Sequence, residues 1–326
     1  MDPFTHSLCG LVLGQSGPKR WTPSAAWIAL VASNLPDFDS VFQPFHDIRH
    51  LVWHRHFTHS LCFAPLLALA SVAVVHYVFR RPVAWRGAFG LALLCVLAHL
   101  GLDLLTIWKV KIGLPFTSAG FSLQTQWMVD PILLILFAAA LAIPFLSHLV
   151  SGEIGAKRGS GALTARLAWV VIAAWFILRF NLHATALEEL RSRVYEGAPP
   201  RRVEAWPSPH PLRFTGLVET ERAIYVLPVN LLEYVDPETA QAYFKPVFQP
   251  AEGRAAQAAA ADSNVQTFLA WAQWPRWQVF EYEGERPWVV IVEEIARESA
   301  NQRPRVVVTL DRQFRVIDSK YEAAAD

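Results

Sequence analysis

Cysteine is scarce in this chain and unevenly placed. Cys9, Cys62 and Cys95 all fall in apolar segments, and the polar C-terminal part has none. No disulfide framework can be drawn from that pattern, and it leaves the redox compartment open. An excess of charge is also missing: 29 Lys and Arg against 28 Asp and Glu leave a net charge of +1. That balance gives no global attraction for nucleic acid or for an acidic partner. The N-terminus lacks a basic n-region and carries His6. No cleavable signal peptide is therefore expected, and insertion into a membrane would use internal apolar segments.

Apolar sequence is what the chain has in abundance. It is 53% hydrophobic overall, and most of that weight lies before residue 183. The composition divides the chain into a membrane-embedded helical domain over 1–183 and a small soluble α+β domain over 184–326. Crossing a bilayer takes about 20 apolar residues of helix. Leu61–Phe79, Trp85–Thr106 and Val129–Val150 meet that length, and Ala165–Phe180 is shorter, with Arg166 and Arg179 placed to snorkel. Phe4–Gly14 and Pro23–Leu35 read as a helical hairpin with Gly17-Pro18-Lys19-Arg20 at its tip. The expected fold is mainly α, a polytopic bundle of about four long and two short helices.

The C-terminal part reads differently. Trp288–Glu293 and Arg305–Leu310 are β-branched runs typical of strands, and Arg213–Leu227 reads as a strand or hairpin. Ala251–Trp271 is Ala-rich and helix-prone. Trp206, Trp271, Trp274, Trp277 and Trp288 would build a core or a contact with the membrane. This part shows no catalytic constellation.

Threading the helices places Lys19, Arg20, Arg80, Arg81, Arg86, Lys157, Arg158 and Arg166 on one side. The N-terminus, segments 37–60 and 107–128 and the C-terminal domain fall on the other, with only Arg49, Arg55, Lys109 and Lys111 near helix ends. The positive-inside rule then puts the second side outside the cytoplasm.

The residues with chemistry gather on that second side. Phe-Thr-His-Ser-Leu-Cys occurs twice, at 4–9 and 57–62, and both copies are expected to open an apolar helix with the His in its first turn. His99 and Asp103, four apart, share one helix face inside an apolar segment. That placement costs free energy unless they pair with each other, face a cavity or bind a metal. Asp37 and Asp39 follow Pro36 where the second helix should end. An isolated Asp-x-Asp there reads as helix termination, and in an extended segment only one of the two would face a shared centre. His54, His56 and His59 surround Arg55, whose guanidinium is a bidentate fork for phosphate; such a loop alone also fits an interfacial or pH-sensing role. Imidazole and carboxylate donors together suit Zn²⁺ or another first-row divalent ion, and their number allows two or more ions. Clustered ions would clamp a phosphoryl group and activate a water.

An ordered set of these residues resembles the YdjM/YfhP-type bacterial inner-membrane proteins, a family grouped as metal-dependent hydrolases. The matching pieces are Thr5-His6, Leu35-Pro36-Asp37-Phe38-Asp39, His54-Arg55 with Thr58-His59-Ser60, and His99 with Asp103 and Thr106. Leu114-Pro115-Phe116, Asp130-Pro131 and, in the C-terminal part, Pro211-Leu212-Arg213-Phe214 also match. The resemblance implies a helical fold distantly similar to zinc-dependent phospholipase C, with phosphoester hydrolysis as the leading chemistry. It implies His6, Asp37, His54, His59, His99 and Asp103 as ligands, and Asp39, His56 and Asp130 as weaker candidates. Asp37 or Asp103 would orient or deprotonate the attacking water, Arg55 would hold a substrate oxygen, and membrane lipids would supply the phosphoester. One departure is Ile107-Trp108-Lys109, where the family usually shows a Tyr-Gly-type turn.

Two other classes use similar residues. A proton-coupled transporter or channel would place His and Asp in a relay, but the paired broken helices expected of one are not evident. A non-catalytic membrane protein would hold its metal in a closed structural site.

Overall fold

The computed structural model describes residues 1–17, 21–42, 48–53, 55–153, 161–284, 287–296 and 303–323. The chain opens with helix α1, Pro3–Ser16, and α2, Ala25–Asn34, the expected hairpin. Asp2 caps α1, its carboxylate accepting from the backbone N–H groups of Phe4 and Thr5. The two helices approach closely because Gly10 has no side chain. A Cβ there would lie 2.1 Å from Ser33 Oγ and 2.9 Å from the Ala29 carbonyl.

A 3₁₀ segment, Leu35–Phe42, continues α2, and a short helix α3, His50–Trp53, follows. Helix α4 spans Ala64–Ala73 and runs on as a π-helical turn, Val74–Val78. Three long helices complete the bundle: α5, Trp85–Leu104; α6, Pro131–Glu153; and α7, Ala162–Arg191. Packing is tight on α5, where Ala88, Ala92 and Val96 meet Ala29 and Ala32 of α2 and Ala68 and Val72 of α4. Small side chains at these positions let the helices close on each other without a solvent-driven core.

Among the described residues, three helices are long and apolar enough to cross a membrane: α5, α6 and α7. The apolar windows of α6 and α7 are each only 17% buried inside the protein, so most of their Leu, Ile, Val and Phe surface faces outward, as lipid contact requires.

The expected count of four long helices is corrected here. Leu61–Phe79 was expected to span, but the helical stretch is Ala64–Val78 and falls among the shorter apolar helices. At about 1.5 Å per residue it does not reach the ~30 Å of a hydrocarbon core. The residues before it turn sharply instead, with Leu61 N–H donating to the Ile112 carbonyl. Ala165–Phe180 was expected to be short, yet α7 is the longest helix at 30 residues. Its polar continuation, with Leu, Ala, Glu and Arg, keeps helical propensity after hydropathy falls.

The C-terminal part is built from antiparallel strands. β1 (Arg202–Pro207), β2 (Arg213–Glu219), β3 (Ala223–Asn230) and β4 (Gln241–Phe244) form one sheet in that order. β5 (Pro275–Glu281), β6 (Trp288–Glu294), β7 (Arg305–Leu310) and β8 (Val316–Glu322) form a second. The expected single helix over Ala251–Trp271 is two, α8 (Pro250–Ala260) and α9 (Ser263–Trp271), because Asp262 caps a new start between them.

The two regions interlock. Ala186 and Leu190 of α7 enter the core of the first sheet, and Ile48, just before α3, is buried in the core of the second. Arg179 of α7 donates to the Thr125 and Pro211 carbonyls. Of the five tryptophans, Trp206, Trp274 and Trp288 are buried in the domain.

Replacing Gly10 with Val should overpack the α1–α2 contact and lower stability by about 1–3 kcal/mol. A thermal melt of the detergent-solubilised protein that leaves Tm unchanged would contradict this account of the hairpin.

Candidate metal centre

The N-terminal end of α1, the C-terminal end of α2, the turn before α4 and the C-terminal end of α5 meet at one end of the bundle. From these four places come His6, Asp37, His59, and the pair His99 and Asp103. Asp37, His59, His99 and Asp103 each offer one ligand atom, and those atoms lie within 4.8 Å of one another. His59 Nε2 is 3.2 Å from Asp37 Oδ1, 3.3 Å from Asp103 Oδ2 and 3.2 Å from His99 Nε2. His99 Nε2 is 3.5 Å from Asp37 Oδ1. His59, His99 and Asp103 are buried, whereas the Asp37 side chain keeps 19% of its exposure. Asp37 is thus the member through which the cluster reaches the surface, although its Oδ1 is itself buried.

The imidazoles are oriented from behind. His99 Nδ1 donates to the Ser33 carbonyl at 2.7 Å, which leaves Nε2 as the face turned to the cluster. Thr58 Oγ1 donates to Asp39 Oδ2 at 2.7 Å and so presents a lone pair to His59 Nδ1, 3.0 Å away. Both rings are thus tautomerically set with Nε2 inward, the arrangement that metal-binding histidines take from such partners. Two Nε2 lone pairs and two carboxylates converging in a buried space repel unless a cation or proton lies among them. Burial works against a charged His59, but hydrogen bonds to Asp103 and Asp37 outweigh it and raise its pKa. Burial likewise opposes charge on Asp37, yet the His59 and His99 contacts hold its carboxyl well below the usual carboxylate range. The donor set fits a divalent first-row ion.

Asp103 is the most heavily used group. Its Oδ1 receives the Met1 amino group and lies 3.3 Å from His6 Nε2, and its Oδ2 faces His59 and lies 3.3 Å from Arg55 Nε. His6 stacks on His99 with ring centroids 3.8 Å apart. Burial and the neighbouring His99 push its imidazole down to about 4, so it stands neutral. His6 thus abuts the four-ligand group on the far oxygen of Asp103. Its Nδ1 and the Nη1 of Arg55 are buried without a hydrogen-bond partner among the described residues.

The two Phe-Thr-His-Ser copies do not share the expected geometry. The first lies in α1 with His6 in an early turn. The second is a 3₁₀ turn, Phe57–His59, that ends before α4 begins. Their histidines nonetheless reach the two oxygens of one carboxylate, Asp103. The threonines also act alike: Thr5 Oγ1 donates to Asp2, and Thr58 Oγ1 donates to Asp39.

The Asp37-Phe38-Asp39 stretch is 3₁₀ rather than extended, but one carboxylate alone enters the cluster, as the spacing implied. Asp39 stands behind it, on Thr58. His56 lies outside the group, its ring against Phe57. Asp130 is not a ligand but the cap of α6, its Oδ1 accepting from the Ile132 and Leu133 N–H groups at 2.9 and 3.0 Å. Its residue type and the following Pro131 already fit that role. His54 lies outside the described residues. The roles of Ser33 and Thr58 escaped the sequence reading. Ser33 acts through its backbone carbonyl, which carries no residue signature, and Thr58 signalled only by standing beside His59.

Fold and site define a helical membrane protein with a buried His/Asp cluster able to hold a metal ion. The chain belongs to the YdjM inner membrane protein family, whose sequence profile it matches over residues 1–185. It is also 25% identical over 297 residues to the uncharacterized protein YfhP of Bacillus subtilis (strain 168), covering 86% of this chain and 82% of that one. No solved structure matches the chain.

Loss of the Thr58 hydroxyl should free the His59 ring without removing a ligand. Thr58→Val is expected to weaken metal affinity by about 10-fold or more, within the range seen when such supporting partners are removed. Asp130→Ala should leave metal content intact while costing roughly 1 kcal/mol of stability through the lost cap. Elemental analysis with a parallel melt checks both.

Proposed function

We propose that this protein is a membrane-bound, metal-dependent hydrolase, a phosphoesterase acting on lipid head groups or a related phosphoester. The observation that carries the reading is the donor cluster, open on one side, with an arginine against it. A closed structural site would bury all its ligands, whereas Asp37 is partly exposed. Zinc is the first choice among divalent ions for two imidazoles and two carboxylates.

Asp37, His59, His99 and Asp103 would hold the ion, with His6 as the nearest further donor. When bound, such an ion supplies a Lewis acid and lowers the pKa of water. The chain's own groups divide the remaining work. Asp103 is enclosed by His6, His59, Arg55 and the Met1 amino group, so it anchors. Asp37, on the open side, is the carboxylate placed to orient a water and take its proton. Arg55 has Nη1 buried and unused among the described residues, a donor ready for a phosphoryl oxygen.

Lipid substrates are favoured by the rim. Three residues of the site region have an exposed phenylalanine within two positions: Phe4 near His6, Phe38 beside Asp37 and Phe57 near His59, with Phe116 87% exposed on the 107–128 segment. Exposed phenylalanines of this kind can bury in the boundary between head groups and acyl chains. Arg80, Arg81, Arg86 and Arg166 lie toward the opposite end of the bundle, which supports a cytoplasmic position for that end and a site on the outer face of a bacterial inner membrane.

The test is head-group release from phospholipid in mixed micelles by zinc-loaded protein. Chelation should abolish release and added zinc restore it, and Arg55→Ala should lower the rate by about 100-fold, the scale of one lost anion-stabilising donor. Release no faster than that of Asp37→Asn, across zwitterionic and anionic phospholipids, would sink the hydrolase reading.

A further inference from the structure

Arg55 sits in the left-handed region, at φ 64°. A non-glycine residue holds that conformation only where its surroundings fix it. Anchors lie on both sides of it in the chain. Upstream, Ile48 is buried in the core of the second sheet, with Leu51 of α3 packed on the same core. Downstream, His59 is held in the metal cluster. Residues 48–59 are thus fastened at one end to the β domain and at the other to the site, with Arg55 between.

A second connection runs through side chains. The Arg55 guanidinium lies 5.8 Å from the Trp108 ring centroid. Trp108 is 6.1 Å from Trp271 at the end of α9, and Trp271 is 5.5 Å from Phe268, which is fully buried in the domain core. The backbone beside Trp108 is gripped too. Gln273 Nε2 donates to the Ile107 carbonyl at 2.8 Å, and Ile107 packs on the cluster around Trp206 and Trp274.

We infer that the C-terminal domain is the positioning device for Arg55, acting through Trp271 and Trp108. The inference rests on the phosphoesterase reading only for what Arg55 then holds, a phosphoryl oxygen. The positioning itself is a statement about one side chain.

The experiment compares Trp271→Ala, Trp271→Leu and Trp271→Phe with the parent and with Arg55→Ala, all full-length in detergent. Three quantities are read: zinc content, the rate at which phenylglyoxal modifies Arg55 by peptide mass spectrometry, and the affinity of zinc-loaded protein for inorganic phosphate. Trp271→Ala and Trp271→Leu should keep parental zinc and label faster at Arg55, now released from its 8% exposure. They should also bind phosphate about tenfold more weakly, the order of one lost charge-assisted contact. Trp271→Phe should restore both readouts, and Trp271→Leu, which keeps apolar bulk, separates loss of the ring from loss of folding. Unchanged labelling of Arg55 in folded Trp271→Ala and Trp271→Leu overturns the positioning role. Faster labelling with phosphate binding that even Arg55→Ala leaves unchanged upholds the positioning and overturns the phosphoryl role of Arg55 instead.

Discussion

A buried carboxylate in the last turn of an apolar helix is the constraint around which this protein is arranged. Asp103 is fully buried, and an isolated carboxylate there would cost several kcal/mol. It is tolerated because two segments distant from it in sequence bring four positive or proton-bearing groups to it: the Met1 amino group and His6, and Arg55 and His59. The same crowding that neutralises Asp103 brings Asp37 and His99 within ligand distance. A cation among them would relieve the meeting of two Nε2 atoms 3.2 Å apart. The electrostatics of folding and the chemistry of the site are thus one problem, with one solution.

That constraint explains why short elements occur where hydropathy alone predicts long ones. A membrane-spanning helix opened by the Phe57–Cys62 copy would carry His59 into its first turn. The chain instead spends Phe57–Phe63 on turns, and His59 reaches Asp103 Oδ2 while Thr58 meets Asp39. The repeat of Phe-Thr-His-Ser is informative for the same reason. Helix in one copy and 3₁₀ turn in the other, it delivers a histidine to each oxygen of one carboxylate.

Much of this was legible beforehand, and the failures have definite causes. The four-residue spacing of His99 and Asp103 put both on one helix face, and the polarity of each loop placed His6, Asp37 and His59 at the same end. The helical hairpin and strands β2, β3, β6 and β7 carry strong local patterns and were read from them. Strands β1, β5 and β8 carry charged and partly exposed residues that blur the period-2 signal. Asp130 looked like a ligand and is a cap, because an acid before a helix-starting proline satisfies both descriptions until its N–H partners are seen. The Ser33 carbonyl could not be read at all, since any residue supplies one.

The C-terminal domain was the least legible part in function, because its contribution lies in packing between regions rather than in reactive residues. Ile48 is the clearest case. In sequence it is one apolar residue in a polar loop; in the fold it is buried with Phe268, Trp288 and Val290 of a domain that begins far downstream. A loop pinned at one end only would let Arg55 relax from φ 64° and swing its guanidinium away from Asp103. Fastened at both ends, the loop holds the cation over the cluster without any hydrogen bond to Nη1 among the described residues, leaving that donor for a ligand oxygen. The similarity to YfhP covers most of both chains and so takes in this domain along with the bundle. A β domain that contributes no ligand can still be part of the site when it determines where the arginine stands.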